Sequence, residues 1–232
     1  MPSLILSLET SSAVCSVALH RLDDGRLVGQ SELRLEKSHS SHLSVLVSQL
    51  LENTLHTLAD VAAVAVSDGP GSYTGLRIGA AAAKGLCYAL DISLVAVSTL
   101  AALARQVAAA TVPAEDLLLC PMLDARRMEV YTALYRPDGT QVLAPTPLIL
   151  DETALSEQTT HHRVLCFGSG AVKFRPLAEA NPNVAFLTGI EPSAVAVGAL
   201  AVEAYNRQDF RDVAYYEPFY LKEVYTTTPK AK

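Results

Sequence analysis

The residues with the most chemical promise lie in Asp68-Gly-Pro-Gly-Ser-Tyr-Thr-Gly75, a glycine-rich turn between an apolar run that reads as a strand and an alanine-rich run that reads as a helix. A turn at a helix N-terminus offers free N–H groups to an anion. The known phosphate cradles fail here on named residues. A Walker A loop needs GxxxxGK[ST], and no lysine follows these glycines at that spacing. The pattern GxGxxG begins at Gly69 and Gly71 but meets Thr74 at its third glycine, and a GxSxG elbow meets Pro70 two residues before Ser72. The stretch reads as a structural turn ahead of a binding loop.

Other reactive side chains form no machinery. His39 and His42 stand three apart at the start of a helix, and His161-His162 are adjacent in a polar stretch. No HExxH is present and no third ligand stands near either pair, so they read as exposed histidines rather than metal ligands. Cys15, Cys87, Cys120 and Cys166 are scattered without a CxxC pair, as expected of buried, reduced thiols. No serine, cysteine or histidine occupies a nucleophile motif, so a peptidase has no candidate residues.

The elements that position these residues come in two similar sets. Leu4–Glu9 reads as a buried strand, Ala13–Leu19 as its return and 26–35 as a third strand. Leu43, Leu46, Val47, Leu50, Leu51, Leu55 and Leu58 then keep the 3-4 spacing of one helix face, predicting a helix over 41–58. A strand at 61–67, the glycine-rich turn, a helix over 75–90, a strand at 92–97 and a helix to about residue 110 complete the set. Strands at 117–124, 129–136 and 141–149 repeat the opening. A short helix near Asp151, a strand at 164–167 and helices at 171–180 and 193–208 follow. This predicts an α/β protein of two lobes, 1–110 and a smaller 111–232 whose tail packs back on the first. Two lobes that each open with three antiparallel strands describe the ribonuclease H-like halves of the actin, Hsp70 and sugar-kinase superfamily, an analogy of architecture and not of activity.

Nucleotide-binding proteins of that fold carry an acid and glycines in each lobe's first hairpin. Here Glu9-Thr10-Ser11 has the acid without glycine, and in Asp124-Ala125-Arg126-Arg127 two bulky cations follow the acid. Gly168-Ser169-Gly170 matches an adenosine-side turn. Glu9, Thr10, Ser11, Asp124, Arg126, Gly168 and Gly170 are therefore the residues of a weak nucleotide site. A sugar-kinase-like ATPase is the alternative they support, without efficient hydrolysis. No cofactor is required.

Half of the 232 residues are hydrophobic and 18% are charged, a globular composition. The net charge is −6 with no dense basic run, so this chain is not the main surface for gripping nucleic acid. No apolar run reaches the ~18 residues of a membrane span and no signal peptide is evident, which predicts a cytoplasmic protein.

One helix carries a further signal. Gly75, Gly79 and Ala83 recur every four residues with Ala82 beside them, and an interior helical glycine costs about 1 kcal/mol relative to alanine. A row of small residues lets another element approach closely: the leucine-rich helix, the sheet beneath, or another subunit.

ILSLETSSAVCSVAL, VSDGPGSYTGLRIGAAAAKGL, VAVSTLAALA, LDARRMEVY and PFYLKE occur in that order. Together they resemble the bacterial TsaB (YeaZ) family of tRNA threonylcarbamoyladenosine biosynthesis proteins. The resemblance implies a non-catalytic paralogue of TsaD, which modifies adenosine 37 of tRNA. TsaD carries a metal-binding HxxxH whose matching positions here are Thr99 and Leu103. It further implies a dimer with TsaD, recruitment of the ATPase TsaE, contact with tRNA only through the complex, and a homodimer when alone. The family contact is a helical bundle, here assigned to Leu43, Leu46, Val47, Leu50, Gly75, Gly79, Ala82, Ala83 and Leu86. On this reading Gly79→Arg blocks pairing and leaves the fold near native.

Overall fold

A computed structural model describes residues 3–35 and 37–222. Its strands form two five-stranded sheets of the same topology. The first runs β3-β2-β1-β4-β5, from β1 (Leu4–Glu9), β2 (Cys15–Arg21), β3 (Leu27–Leu33), β4 (Val61–Gly69) and β5 (Ser93–Ser98). The second runs β10-β9-β6-β7-β8, from β6 (Leu117–Asp124), β7 (Glu129–Tyr135), β8 (Gln141–Ile149), β9 (Arg163–Phe167) and β10 (Val184–Phe186). In each, the first three strands are antiparallel and the last two add in parallel to the opening strand. The same order thus occurs twice, as the repeated three-strand opening predicts.

Side-chain alternation along the strands decides which helices cover which face. Leu4, Leu6, Leu8, Val64 and Val66 point to a core shared with α1 (His39–Asn53) and α2 (Tyr73–Leu90). Ile5, Ala63, Ala65 and Val95 point the other way, against α6 (Ala194–Asn206) and Ala102 of α3 (Thr99–Ala108). Leu100 and Leu103 of α3 pack with Leu119, Leu123, Ala133 and Phe167 of the second sheet. α3 therefore lies between the sheets. The outer face of the second sheet is closed with the help of α5 (Ala171–Ala178), whose Phe174 is buried, near the short α4 (Ser156–His161).

Several sequence expectations change. The leucine-rich helix ends at Asn53, not at Leu58. Thr54 turns its hydroxyl back to the Leu50 carbonyl at 2.7 Å, and Leu55 adopts a left-handed backbone (φ 58°) with 94% of its surface exposed. Leu58 begins a separate 3-10 turn, where Thr57 and Asp60 form a capping box. Asp151 caps its own turn through Thr153, so the short helix starts at Ser156. The three-residue β10 is too short to carry a period. A division at 110/111 separates the two sheets, but α6 covers the first sheet, not the second.

The chain after α6 also returns to the first lobe. Arg211 bridges to Leu94 of β5, and Tyr216 is buried in the core beneath α1 and α2. Residues 223–232, which include Glu223 of PFYLKE, lie outside the described part. None of the described helices is long and apolar enough to cross a membrane.

Candidate functional site

The glycine-rich turn folds onto the first hairpin of its own lobe. Ser72 caps α2 by accepting from the Gly75 N–H at 3.3 Å, and its own N–H donates to the Ser11 carbonyl at 2.7 Å. A side-chain carbon at Gly71 would fall 2.5 Å from the Ser11 carbonyl oxygen, one at Gly75 2.0 Å from that of Thr10, and one at Gly79 2.3 Å from Thr10 Oγ1. The glycine row thus meets residues 10 and 11 of the same chain. This corrects the assignment of Gly75, Gly79 and Ala83 to an intersubunit face: all three are buried, the two glycines because their small size serves contact between α2 and the opening hairpin, and Ala83 in the first-lobe core.

That contact leaves no open cradle at Glu9, Thr10 and Ser11, which are 0–3% exposed. Glu9 accepts from the Ser11 N–H at 2.5 Å and the Ser67 hydroxyl at 3.1 Å. Burial nevertheless raises its pKa above the ordinary carboxylate value, and its second oxygen has no partner. It is a structural carboxyl rather than a solvent-facing metal ligand.

The second hairpin is exposed but filled from within. Asp124 accepts from the Arg126 N–H at 2.6 Å and from the Lys173 ammonium at 2.9 Å. Burial opposes its charge, but these donors hold its pKa below the usual carboxylate value. Arg126 and Arg127 are both left-handed, at φ 68° and 48°. Gly168-Ser169-Gly170 does lie beside Asp124, with the Ser169 hydroxyl accepting from the Asp124 N–H at 3.1 Å. A Cβ at Gly168 would come 2.5 Å from the Met122 carbonyl oxygen, so this turn packs on the β6 backbone.

The remaining reactive residues are structural. Thr99 and Leu103 are fully buried on α3. His39 is buried, not exposed as expected, because its Nε2 reaches the Val14 carbonyl at 3.2 Å; His161 is exposed. Burial pushes the Cys15 and Cys87 thiols up to about 11, and Cys120 lies opposite Cys166 across β6 and β9. Among the described residues no group of three or more His, Cys, Asp or Glu could hold a metal ion.

The prominent opening in the first lobe is an apolar groove of about 780 Å³ between α1 and α2. Leu43, Val47 and Leu51 line one side, and Ile78, Ala82, Gly85 and Leu86 the other. The expected interface residues divide accordingly. Leu43, Val47, Ala82 and Leu86 face the groove, whereas Leu46, Leu50, Gly75, Gly79 and Ala83 do not line it. Ile78 and Gly85 are groove residues that sequence reasoning missed. The spacing of Ile78, Ala82 and Leu86 carried that signal, one helical face away from the glycines.

The C-terminal segment forms a strap beside α2. The Tyr216 hydroxyl donates to Asp68 Oδ1 at 3.0 Å, and the Phe219 N–H donates to the Asp68 carbonyl at 2.8 Å. The Lys84 ammonium holds the carbonyls of Ala214 and Tyr216, and the Tyr73 and Tyr220 rings lie 5.1 Å apart. Lys222 then reaches the Glu129 carboxylate of the second sheet. The turn Asp68–Gly75 therefore seats this strap as well as the first hairpin.

Comparison with known proteins agrees with this architecture. Residues 34–216 match the family model described as TsaD: tRNA N6-adenosine threonylcarbamoyltransferase. The Haemophilus influenzae tRNA threonylcarbamoyladenosine biosynthesis protein TsaB is 30% identical over 96% of this chain and 94% of its own length. The Bacillus subtilis protein of the same name is 39% identical over 57% of this chain, a match spanning 55% of that protein. A Pseudomonas aeruginosa structure described as similar to peptidase YEAZ superposes with a TM-score of 0.80 at 29% identity, covering 95% of this chain and all of that one. The activator of 2-hydroxyisocaproyl-CoA dehydratase from Clostridium difficile shares the fold alone, with a TM-score of 0.50 at 10% identity, covering 89% of this chain and 96% of that one. The chain belongs to the TsaD family of tRNA N6-adenosine threonylcarbamoyltransferase-like proteins, on its TsaB (YeaZ) branch.

Proposed function

We propose that this chain is a non-catalytic subunit needed for N6-threonylcarbamoyladenosine formation at adenosine 37 of tRNA. It pairs with TsaD through the α1–α2 groove, helps recruit TsaE and requires no cofactor of its own. The observation that carries the reading is the near end-to-end match to a protein named for this pathway. The apolar groove, lined by Leu43, Val47, Leu51, Ile78, Ala82 and Leu86, adds a surface of the right chemistry for a partner helix. Thr99 and Leu103, at the positions of the TsaD histidines, are buried side chains that cannot act as imidazole ligands. Without TsaD, the same face pairs two copies of this chain, as a self-complementary apolar surface allows.

The test is complementation. Expressed in a bacterium depleted of its own TsaB, the chain should restore N6-threonylcarbamoyladenosine in tRNA hydrolysates measured by mass spectrometry. Soluble expression without the modified nucleoside, together with the cognate TsaD and TsaE, would refute the assignment.

A further inference from the structure

Lys173 lies on α5, one turn after Gly170, where a Cβ would come 2.6 Å from Val130 Cγ1 and 3.1 Å from the Leu123 carbonyl carbon. That close approach carries the lysine to the second hairpin. Its ammonium donates to Asp124 Oδ1 at 2.9 Å, to the Arg127 carbonyl at 2.8 Å and to the Glu129 carbonyl at 2.7 Å. An ammonium has three N–H groups and no acceptor, so three oxygens satisfy it fully. One carboxylate and two carbonyls are also the ligands that hard cations take.

We propose that the Lys173 ammonium is a built-in substitute for a metal cation, holding the second hairpin in place without divalent metal and taking up the Asp124 Oδ1 that a metal would otherwise use. The oxygens surround the nitrogen at ammonium distances, longer than the ~2.0–2.1 Å of Mg²⁺ or the ~2.3–2.6 Å of Ca²⁺. The lysine side chain is 20% exposed, so the charge is set into the fold rather than left on the surface. It also braces a strained turn that is otherwise closed by the Ala125 N–H donating to the Glu129 carbonyl at 3.1 Å. Arg126 and Arg127 both take a left-handed backbone that L-residues adopt reluctantly, and Lys173 ties the Arg127 carbonyl to the carboxylate that caps the Arg126 N–H.

Mn²⁺ binding to the full chain, followed by electron paramagnetic resonance, tests it. The wild type should show no Mn²⁺ site that depends on Asp124. Lys173→Ala should bind Mn²⁺ at least about tenfold more tightly. Its lowered thermal midpoint should recover as Mn²⁺ is added, and both effects should vanish when Asp124→Asn is added. An Asp124-dependent site in the wild type, or a Lys173→Ala chain that binds no better, overturns the proposal. If Lys173→Ala does not fold, Lys173→Arg decides. Its cation can donate to the same oxygens, so a folded variant that still binds no Mn²⁺ supports the proposal, and an unfolded or Mn²⁺-binding one overturns it.

Discussion

Gly79 lies so close to Thr10 that a side-chain carbon on it would fall 2.3 Å from Thr10 Oγ1 and 3.3 Å from Val66 Cγ2. α2 is therefore pressed onto the first hairpin, and the outward face of the helix lies a fraction of a turn away. Gly79→Arg is now expected to unfold the lobe rather than to block a partner cleanly.

The helix glycines should separate by direction. Gly75→Ala meets the Thr10 backbone carbonyl at 2.0 Å, so neither group yields cheaply, and overpacking of this kind costs about 1–3 kcal/mol or more. Gly85 has nothing within 4 Å of its Cβ position. There alanine should stabilise by up to about 1 kcal/mol through helix propensity alone. Urea denaturation of the two variants should give shifts of opposite sign.

Tyr216→Phe removes the hydroxyl that Asp68 accepts while keeping the ring that fills the core. Asp68 is then left with less compensation for its burial, an expected loss of about 1–3 kcal/mol. Limited proteolysis should cut the strap after residue 210 faster than in wild type. Unchanged cleavage and midpoint would mean that the Asp68 contact does not fasten the segment.

His20 supplies a pH dependence. It is 2% exposed, its Nδ1 has no partner, and burial lowers its pKa. An imidazole held neutral in the fold contributes stability that is fully present above its unfolded value of ~6.5. That contribution is lost as pH falls through ~6.5 towards the folded value, with a slope of up to about 1.4 kcal/mol per pH unit. Glu9 acts oppositely: burial raises its folded pKa, so stability returns as pH drops from that raised value towards 4.5. On the acid side of ~6.5 the urea midpoint should fall more steeply with falling pH in wild type than in His20→Gln, and equal slopes would contradict the assignment.

Isothermal titration with Mg·ATP should give no tight binding and no turnover by the isolated chain. Its first hairpin is sealed by α2 and its second is occupied by Lys173. Tight binding with hydrolysis would restore the kinase-like reading.

The repeated strand order was legible because short aliphatic runs such as Leu4–Glu9 and Leu117–Asp124 are bounded by clear turn residues. The return of α6 was not. Its small and aliphatic residues run nearly all round the helix, so no polar stripe tells which sheet it serves. The glycine row was seen correctly as a site of close approach, but periodicity cannot say whether the neighbour is a hairpin of the same chain or another subunit. Lys173 gave no signal either. It stands 49 positions from Asp124 in sequence, and the pairing of β6 with β9 and the close approach at Gly170 bring them together.

The groove carries the central claim, and co-purification with the cognate TsaD tests it most directly. Ala81 is exposed and Gly85 is open, so Ala81→Arg and Gly85→Arg place a cation in the groove without entering the core. Both variants should keep a near-native circular dichroism spectrum and lose TsaD on size-exclusion chromatography. Recovery of the complex at full wild-type yield with both variants would contradict the account.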